Sequence, residues 1–585
     1  PGACQEGICV SETTKTVTVQ PVTNPALSGA FVSPACNGTN CTAAAGAPVT
    51  LTAADARGTT YAWDFGDGTT GSGISVTHTW SAAQVYTVGL TVSANGYTSG
   101  SSSDAMVVTT PPPPPLQSVV LPWVAATRGA LVQSCDLYLH NPGANPVPVT
   151  LEFRKRGTVD VNPPQATAVI PPGATMYAPD VLQSVFSRDN IAGFVKVTVK
   201  STDPLPVMTS FNTVTRTDGS QFGQTVPGLA VPIAATSKSS TPGSTFQYLA
   251  GLNDNSDELA YFGITNPTPT TTTYHVRLFD MQGNQIGESN GDLTVGPFGQ
   301  RQFQQADVHN LFGLTTGTDY MVSIENKSGT TTFPYGENVR MGSGDPNFVT
   351  AGATNAAVQY VVGAFSTNGS WQTDVVLANT GTQAMSLSLT FTRTGVTAPT
   401  TAPVTLTLNP GDTQRLSNAI AGKWSLSNVV GVITVTSTGA NGVYPIVQAE
   451  SYNNAQPANR YGQSMAAFSD ANQAIVGQAH YLVGLRQDAN HLATVWVFNN
   501  STTDTGIYDI VYRGLDGTVL GKVSNLTLPP GKVKGLLPNQ HPLPAGGVTG
   551  GFTVQVVVKN GTVLSAAQVL TTSTGDPAYV QGAAR

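Results

Sequence analysis

The sequence predicts an all-β protein made of tandem β-sandwich domains in an extended arrangement. Three observations predict this fold: a fourfold internal repeat, a composition that favours strands and turns, and apolar residues at alternating positions. Two turns mark each copy of the repeat. The asparagine of the first turn and the glycine of a Pro-Gly-type turn 32 or 33 residues later are Asn141 and Gly173, Asn266 and Gly299, Asn379 and Gly411, and Asn499 and Gly531.

The spacing of these turns identifies the copies as domains of one design. The asparagines are 125, 113 and 120 residues apart, and the glycines are 126, 112 and 120 residues apart. Within the copies, Leu137 and Leu139 alternate with polar residues, as do Val495 and Val497, which is typical of half-buried strands. The four predicted repeats, called repeats 1 to 4, are residues 116–236, 237–354, 355–470 and 471–585.

Composition supports a β fold and excludes some functions. Only 10% of the 585 residues are Asp, Glu, Lys or Arg, while Gly (61) and Pro (40) are abundant. Gly and Pro break helices, and the abundant Thr and Val favour strands. The net charge of −7 and the lack of a basic run argue against nucleic-acid binding. No run of 18 apolar residues occurs, so no membrane-spanning helix is expected.

Residues 1–24 contain an alternating segment, Thr13 to Gln20, that has no partner strand of its own. One interpretation is that it is the remnant of a preceding module in a longer precursor. The other is that Thr16, Val17, Thr18 and Val19 pair with a neighbouring subunit by strand addition and build a filament. Simple disorder is a third interpretation.

The cysteines predict two short disulfides. Cys4 and Cys9 form one pair and Cys36 and Cys41 the other, each with four residues between. Neither pair has the further Cys or His ligands that a zinc site needs, so local disulfides and an oxidising compartment are expected. Cys135 is left over at the head of an apolar strand, where we expect a small buried side chain.

Residues 25–110 contain YAWDFGDG at 61–68, HTW at 78–80 and the alternating strand VYTVGLTV at 85–92. On these motifs the segment resembles a PKD domain (polycystic kidney disease repeat). The resemblance implies an immunoglobulin-like β-sandwich that serves as a spacer or recognition module on extracellular proteins. The residues agree, because Trp63 and Phe65 alternate with Asp64 toward one face before a tight glycine turn.

A linker of five prolines, residues 111–115, follows this module. As polyproline II it is a stiff spacer of roughly 15 Å, which suits a rod. The four repeats after it resemble the CARDB-type immunoglobulin-like modules of bacterial surface proteins, with a strand, an Asn-type turn, a strand and a Pro-Gly turn. That resemblance implies a fold and assigns no functional residues.

Two acidic turns are candidate calcium sites. Asp64 and Asp67 lie in the WDFGDG turn, and some PKD domains bind calcium there. Asp254 and Asp257 lie in an acidic loop of repeat 2 that offers three or four of the six to eight oxygens calcium takes. The competing interpretations are turn capping by Asp67 and a solvated loop in repeat 2. The sequence suggests no cofactor other than calcium.

Exposed aromatic residues are candidates for a contact surface. Trp371 precedes a strand of repeat 3, and Trp424 follows its Pro-Gly turn. Both positions are open enough for a contact surface, with core packing as the competing interpretation. Trp496 lies within an apolar strand and is expected in the core.

Catalysis is not expected. Gly287 to Gly291 (GESNG) match a nucleophile-elbow pattern, but that pattern needs a helix after the serine, and here a strand follows. Gly66 to Gly71 match a dinucleotide pattern and likewise lack the helix. The histidines are scattered without the pairing of a metalloprotease.

These features predict a secreted, cell-surface protein of a bacterium with a structural or adhesive role, acting as a multidomain rod or as the subunit of a surface appendage or filament. The alternative is an accessory spacer or polymer-binding region of a larger secreted protease or glycoside hydrolase. A surface with few charges would contact partners by strand pairing and shape more than by charge. The expected partners are other protein chains, including self-assembly, and a polysaccharide.

Overall fold

A computed structural model describes residues 24–585 apart from 38–39, 111–114, 130, 158–161, 232–244, 315–316, 329, 353–355, 368–369, 440–441 and 456–459. The chain forms two compact units, one ending at Pro114 and the other spanning Pro115–Arg585. The predictions for Cys4 and Cys9, for the strand Thr16 to Val19 and for most of the proline linker lie outside the described residues.

The first unit is a β-sandwich, as predicted. A sheet in the order β1-β4-β7 packs on a sheet in the order β2-β3-β9-β8-β5-β6, in which only β3 and β9 run parallel. Trp63 and Trp80 are at most 2% exposed and lie in the core between the sheets. The strands are β1 (Phe31–Val32), β2 (Cys36–Asn37), β3 (Asn40–Ala44), β4 (Val49–Ala53), β5 (Thr60–Asp64), β6 (Thr70–Ser72), β7 (Ser75–His78), β8 (Val85–Ser93) and β9 (Gly100–Thr109).

In the second unit, each repeat is an antiparallel sandwich of a first and a second sheet. In repeat 1 the first sheet has the order β13-β12-β15-β10-β18 and the second β14-β11-β16-β17. The elements are β10 (Leu116–Ala126), β11 (Leu131–His140), β12 (Val147–Lys155), β13 (Gln165–Ile170), β14 (Thr175–Ala178), α1 (Val181–Ser184), β15 (Ile191–Lys200), β16 (Val207–Arg216), β17 (Gln221–Pro227) and β18 (Leu229–Val231).

Repeat 2 has the same design. Its first sheet has the order β19-β25-β21-β22, with β23 beside β21, and its second β24-β20-β26-β27. The elements are β19 (Thr245–Leu252), β20 (Glu258–Thr265), β21 (Thr272–Asp280), β22 (Gln285–Glu288), β23 (Leu293–Val295), β24 (Gln300–Phe303), α2 (Gln305–Phe312), β25 (Tyr320–Asn326), β26 (Phe333–Arg340) and β27 (Pro346–Thr350).

Repeat 3 has a first sheet in the order β31-β30-β33-β28-β36 and a second in the order β32-β29-β34-β35. The elements are β28 (Val358–Ser366), β29 (Trp371–Ala378), β30 (Met385–Arg393), β31 (Val404–Leu408), β32 (Thr413–Leu416), α3 (Ala419–Trp424), β33 (Val429–Ser437), β34 (Ile446–Asn453), β35 (Tyr461–Ala466) and β36 (Phe468–Ser469).

Repeat 4 has a first sheet in the order β41-β40-β43-β38-β46 and a second in the order β37-β44-β39-β42, with β45 beside β44. Two 3₁₀ turns, Asp470–Asn472 and Pro538–Gln540, accompany it. The strands are β37 (Ala474–Ile475), β38 (Ala479–Gln487), β39 (His491–Phe498), β40 (Gly506–Arg513), β41 (Val519–Leu528), β42 (Val533–Leu536), β43 (Val548–Asn560), β44 (Thr562–Thr571), β45 (Pro577–Gln581) and β46 (Ala583–Ala584).

The two turns that mark each repeat in the sequence meet in space. In repeat 3 the amide nitrogen Nδ2 of Asn379 donates to the carbonyls of Gln383, Leu408 and Asn409, at 2.8–3.0 Å. The backbone N–H of Gly411 donates to the carbonyl of Asn379. Equivalent side-chain bonds form at the other three asparagines, which are all fully buried. The repeated spacing therefore reflects one hydrogen-bonded joint between the two turns.

The four repeats close into a ring, which differs from the extended arrangement expected for them. The last strands of the second sheets contact one another in sequence: β17 with β27, β27 with β35, β35 with β45, and β45 with β17. The physical reason is that the second sheets are buried on both faces. One face covers the repeat's own core, and the other must be covered by the preceding repeat.

Each contact between repeats uses a bulge in the first sheet. The strands β10, β19, β28 and β38 all shift register near the middle. Trp496 of repeat 4 packs on Gly363 in the bulge of repeat 3, and Tyr138 of repeat 1 packs on Gly484 in that of repeat 4. Both glycines have positive φ angles, so the bulge leaves room for a large side chain.

Candidate functional site

A groove of about 680 Å³ lies between repeats 3 and 4. Its walls include Phe365, Trp371 and Trp496, and its rim includes Leu537, which is half exposed. The remaining lining is rich in hydroxyl and amide groups, such as those of Thr494 and Gln568. Lys534 is the single charged residue among those lining it. The groove thus combines aromatic surface with neutral hydrogen-bonding groups.

Trp371, predicted as a contact residue, is fixed in the wall of this groove. It begins β29 and is half-buried. Its ring makes edge-to-face contacts with Phe365, at 5.1 Å between centroids, and with Tyr461, at 5.8 Å. Its backbone N–H donates to Thr367 Oγ1 at 2.9 Å. These contacts hold the indole in one orientation before any ligand binds.

Trp496 supplies a hydrogen-bond donor that the fold leaves unused. Its side chain is 2% exposed and packs in the core shared by repeats 3 and 4, as expected for a core residue. Its indole N–H has no acceptor among the described residues, although Trp496 lines the groove. A buried donor without an acceptor costs about 1–3 kcal/mol.

Trp424 lies apart from this groove. It ends α3, where its indole N–H donates to the carbonyl of Ala402 at 3.2 Å and its ring stacks on Phe391 with centroids 6.0 Å apart. Trp424 is half-buried against the core of repeat 3. The structure therefore does not bring the two tryptophans together, and a contact role for Trp424 stays a prediction.

The first calcium candidate is an internally bonded turn. The carboxylate of Asp64 accepts the N–H of Gly66 at 2.9 Å. Asp67 accepts the N–H and hydroxyl of Thr69 and lies 2.7 Å from His78 Nε2. Burial acts to raise the pKa of Asp67, but the hydrogen bonds from Thr69 and His78 outweigh it, so its pKa lies below the usual range. The geometry is that of turn capping.

The second calcium candidate is divided between two environments. Asp254 is buried and lies 2.5 Å from Gln305 Nε2 and 2.6 Å from His309 Nε2, on α2. Asp257 is exposed and forms an ion pair with Arg460 of repeat 3 at 2.8 Å. The structure does not direct the two carboxylates toward one point. Across the described ranges, no group of three or more His, Cys, Asp or Glu is arranged to hold a metal ion.

The serine of the GESNG motif is part of a hairpin, as the sequence predicts. Ser289 is 5% exposed, accepts the N–H of Val276 at 3.2 Å and donates to the carbonyl of Gly291 at 2.8 Å. His275 lies 3.4 Å from this hydroxyl and 2.6 Å from Glu288. Because the hydroxyl is buried and already bonded, a substrate could not reach it without local opening.

The register also places Cys36 directly opposite Cys41 in the pair β2–β3. This pairing supports the predicted disulfide, which stays a prediction. Cys135 is fully buried in the core of repeat 1, as expected, and burial raises the pKa of its thiol.

One position recurs at all four junctions of the ring. It lies eight residues before the turn asparagine, and in each junction its residue lines a cavity. Gln133 lines one of about 540 Å³ between repeats 1 and 2, Glu258 one of 150 Å³, Trp371 the groove of 680 Å³ and His491 one of 250 Å³. The four residues differ in chemistry, so each junction offers a different surface.

Buried charges lie at the junction of repeats 2 and 3 and were not predicted. Arg340 is 3% exposed and lies 3.4 Å from Glu258, 3.9 Å from Asp345 and in contact with Glu450 of repeat 3. The sequence gives little signal of this cluster, because its members are far apart along the chain. The only local hint is the repeated Gly-Asp-Pro at Asp345 and Asp576.

A separate buried carboxyl joins repeats 1 and 2. Glu337 accepts a hydrogen bond from Gln224 Nε2 at 2.6 Å and another from the hydroxyl of Tyr261. Burial raises the pKa of Glu337 to about 7, against the opposing effect of these hydrogen bonds.

Comparison with known proteins identifies one domain. Residues 35–109 match the PKD domain family, and PKD domains are typical of extracellular proteins. No curated protein matches the chain. The CARDB-type resemblance of the repeats stays a prediction. No helix in the described part of the chain is long and apolar enough to cross a membrane.

Two solved structures show similarity at low identity. One is described as "Structural basis for the promiscuous specificity of the carbohydrate-binding modules from the beta-sandwich super family", at 12% identity over 56% of this chain and 97% of that chain, with a TM-score of 0.15. The other is a Bacteroides ovatus mixed-linkage glucan utilization locus SGBP-B with a mixed-linkage heptasaccharide, at 11% identity over 69% and 99%, with a TM-score of 0.12. At these TM-scores neither similarity carries an argument about this chain.

Proposed function

We propose that this chain is a non-catalytic, extracellular adhesive module that binds a neutral polysaccharide in the groove between repeats 3 and 4. The observation that carries the proposal is the fixed, half-buried ring of Trp371 in a groove whose other lining is mainly aromatic and neutral polar. A sugar ring offers both an apolar face for the indole of Trp371 and hydroxyl groups for the amides and hydroxyls of the lining.

The charge of the groove favours a neutral polymer over an ionic one. Lys534 is the only charged residue of the lining, so a nucleic acid or a highly sulfated chain would meet little compensating charge. The amides of Gln540 and Gln568 and the hydroxyl of Thr494 instead suit sugar hydroxyls, which both donate and accept hydrogen bonds.

The extracellular part of the proposal is supported by the PKD domain and by the predicted disulfide between Cys36 and Cys41. Self-assembly through Thr16 to Val19 stays a prediction. The alternative function, an accessory region of a secreted hydrolase, would use the same groove to hold that enzyme on its polymer. The sequence of the full precursor would separate the two functions.

The test is affinity electrophoresis of the chain in gels that contain single neutral polysaccharides, followed by titration with the one that retards it. We expect Trp371→Ala to weaken binding at least tenfold, because truncating a tryptophan at the centre of a contact surface commonly costs about 2 kcal/mol or more. Trp424→Ala is the matched control, since it removes a half-buried tryptophan of the same repeat outside the groove, and it should bind as the wild type does.

Two results would contradict the proposal. One is that no neutral polysaccharide retards the wild-type chain. The other is that Trp371→Ala, with a melting temperature close to that of Trp424→Ala, binds as tightly as the wild type.

A further inference from the structure

Two buried carboxyl groups hold the centre of the ring together. Asp345 of repeat 2 and Asp576 of repeat 4 each precede the last strand of a second sheet, β27 and β45. Asp345 Oδ2 accepts the backbone N–H of Gly462 in repeat 3 at 2.8 Å. Asp576 Oδ2 accepts the N–H of Gly223 in repeat 1 at 2.6 Å. Each carboxyl thus bridges from its own repeat to a neighbouring one.

The two carboxyls lie near one another at the same end of the ring. Phe222 precedes Gly223 in repeat 1, and Tyr461 precedes Gly462 in repeat 3. The ring centroids of these two aromatic residues are only 6.4 Å apart, although the repeats lie opposite one another in the ring. The carboxyls bound to Gly223 and Gly462 therefore flank the same central point. In agreement with this placement, burial and then the charge of Asp345 raise the pKa of Asp576.

Each carboxyl leaves one oxygen without a donor. Asp345 and Asp576 are at most 1% exposed, and the Oδ1 atom of each has no hydrogen-bond partner among the described residues. Asn347 stands two residues after Asp345, on the same face of its strand, and is also 1% exposed with an unpartnered amide oxygen. Three buried oxygens, in β27 and in the residues that lead into β27 and β45, therefore lack a donor, and the amide nitrogen of Asn347 also has no partner in the described structure.

More carboxyl groups than basic groups lie at this centre. Arg340 is the buried guanidinium of the cluster. It contacts Glu450 and Glu258 and lies 3.9 Å from Asp345, and its Nε and Nη1 atoms have no acceptor in the described structure. Asp576 adds a fourth carboxyl without a basic partner of its own in the described structure. Buried charges need compensation, and carboxylate and amide oxygens are the ligands that calcium prefers.

We propose that Asp345 and Asp576 bind one divalent cation of calcium type at the centre of the ring. The cation takes Oδ1 of each carboxylate and the amide oxygen of Asn347, and water completes its coordination. Entry is from the cavity of about 250 Å³ between repeats 4 and 1, which Asp576 lines. The cation stabilises the junctions between repeats, because both carboxylates also hold a backbone N–H of a neighbouring repeat. This role does not depend on the groove or on its ligand.

The test compares the chelated full chain with the same chain in Ca²⁺, at equal ionic strength. Isothermal titration of the chelated wild type should show one Ca²⁺ bound per chain at this site, and its melting temperature should rise by several degrees. Asp576→Asn and Asp345→Asn should lose this binding and the rise. Without Ca²⁺, Asp576→Asn should melt at or above the wild type, because asparagine still accepts the N–H of Gly223 and brings no charge into the centre.

The matched control is Asp64→Asn, which alters an exposed candidate for calcium in the other unit and should keep the full response. The proposal is overturned if the chelated wild type binds no Ca²⁺ and melts at the same temperature with and without it. It is also overturned if Asp576→Asn keeps the whole response, or if Asp64→Asn abolishes it. Because the first comparison uses only the wild type, poor folding of a variant cannot hide the result.

Discussion

The side-chain amide of each turn asparagine forms hydrogen bonds with several backbone groups. Asn379 is fully buried, and its single amide group satisfies three carbonyls from two different loops. Its carbonyl oxygen also accepts the N–H of Gly381 at 2.9 Å. A side chain with this geometry must be both a double donor and an acceptor, which only Asn and the longer Gln provide.

Replacing this asparagine should destabilise its repeat. In Asn379→Ala, the buried carbonyl of Leu408 and the part-buried carbonyl of Asn409 lose their donor, and an unsatisfied buried group costs about 1–3 kcal/mol. We expect the free energy of unfolding to fall by about 3 kcal/mol or more in urea titrations. Thr382→Ala, an exposed change in the same turn, should have almost no effect. Equal stability of the two variants would show that the joint is not needed.

The buried Glu337 predicts a dependence of stability on pH. Its pKa is about 7 in the folded chain and 4.5 ordinarily, so the folded state keeps a proton that the unfolded state loses between these values. The contribution is fully present below about pH 4.5 and is lost as the pH rises through about 7, by up to roughly 3 kcal/mol.

The measurement is the free energy of unfolding of the wild type and of Glu337→Gln from pH 4.5 to 8. We expect the free energy of unfolding of Glu337→Gln to fall less than that of the wild type as the pH rises, because glutamine does not titrate. Glutamine suits this position, because repeat 4 has a glutamine there. Glu337 pairs with Phe348 between β26 and β27, and Gln568 pairs with Tyr579 between the equivalent strands β44 and β45. An identical decline in both proteins would contradict the assignment.

At the scale of elements, the bulge of each first sheet decides how the next repeat packs. A Cβ built on Gly363 would lie 2.9 Å from the indole of Trp496, and one built on Gly484 would lie 2.7 Å from the ring of Tyr138. In repeat 2 the equivalent Gly251 meets Val376 at 3.4 Å. The bulge, the glycine and the opposing side chain therefore act as one unit.

Gly363→Ala should weaken the junction of repeats 3 and 4. The new methyl group meets Trp496, and the φ angle of +87° is unfavourable for alanine. Gly219→Ala is the matched control, because its φ of +82° gives the same backbone strain in open space. We expect thermal unfolding to show an extra loss of about 1–3 kcal/mol for Gly363→Ala. Equal losses would mean that backbone strain alone is responsible.

At the scale of the whole second unit, equivalent head-to-tail contacts close after four repeats. In each junction the outer face of a second sheet packs on the bulged strand of the preceding repeat, and the last junction joins repeat 1 to repeat 4. A contact of this kind makes either an open filament or a closed ring, depending on the rotation at each step. Here the ring closes and buries the apolar surface that an open row would leave exposed.

The closing junction should be needed for the stability of the unit. Tyr138→Ala removes the ring that packs on Gly484 and the hydroxyl that donates to the carbonyl of Gly550. We expect a loss of about 3–5 kcal/mol and a larger radius of gyration in small-angle scattering. Tyr138→Phe should keep the packing and lose only about 1 kcal/mol. A ring that keeps its radius and stability in Tyr138→Ala would contradict this role.

The local structure of this protein can be predicted from its sequence. The turns at Asn379 and Gly411, the alternating strands and the PKD-type core around Trp63 depend on neighbours close in the chain, and period and turn chemistry record them directly. The sequence also predicts that Trp371 lies at the start of a strand. It does not predict the groove around Trp371, because the other wall of the groove belongs to repeat 4.

The closed ring of repeats, in contrast, becomes visible only in the three-dimensional structure. Alternation shows that a strand buries one face, but an apolar second face is equally compatible with an exposed patch and with a neighbouring domain. Tyr138 and Gly484 meet although they stand in the first and fourth repeats, as Asp576 and Gly223 also do. Such contacts depend on the rotation accumulated over four domains, which no local pattern in the chain encodes.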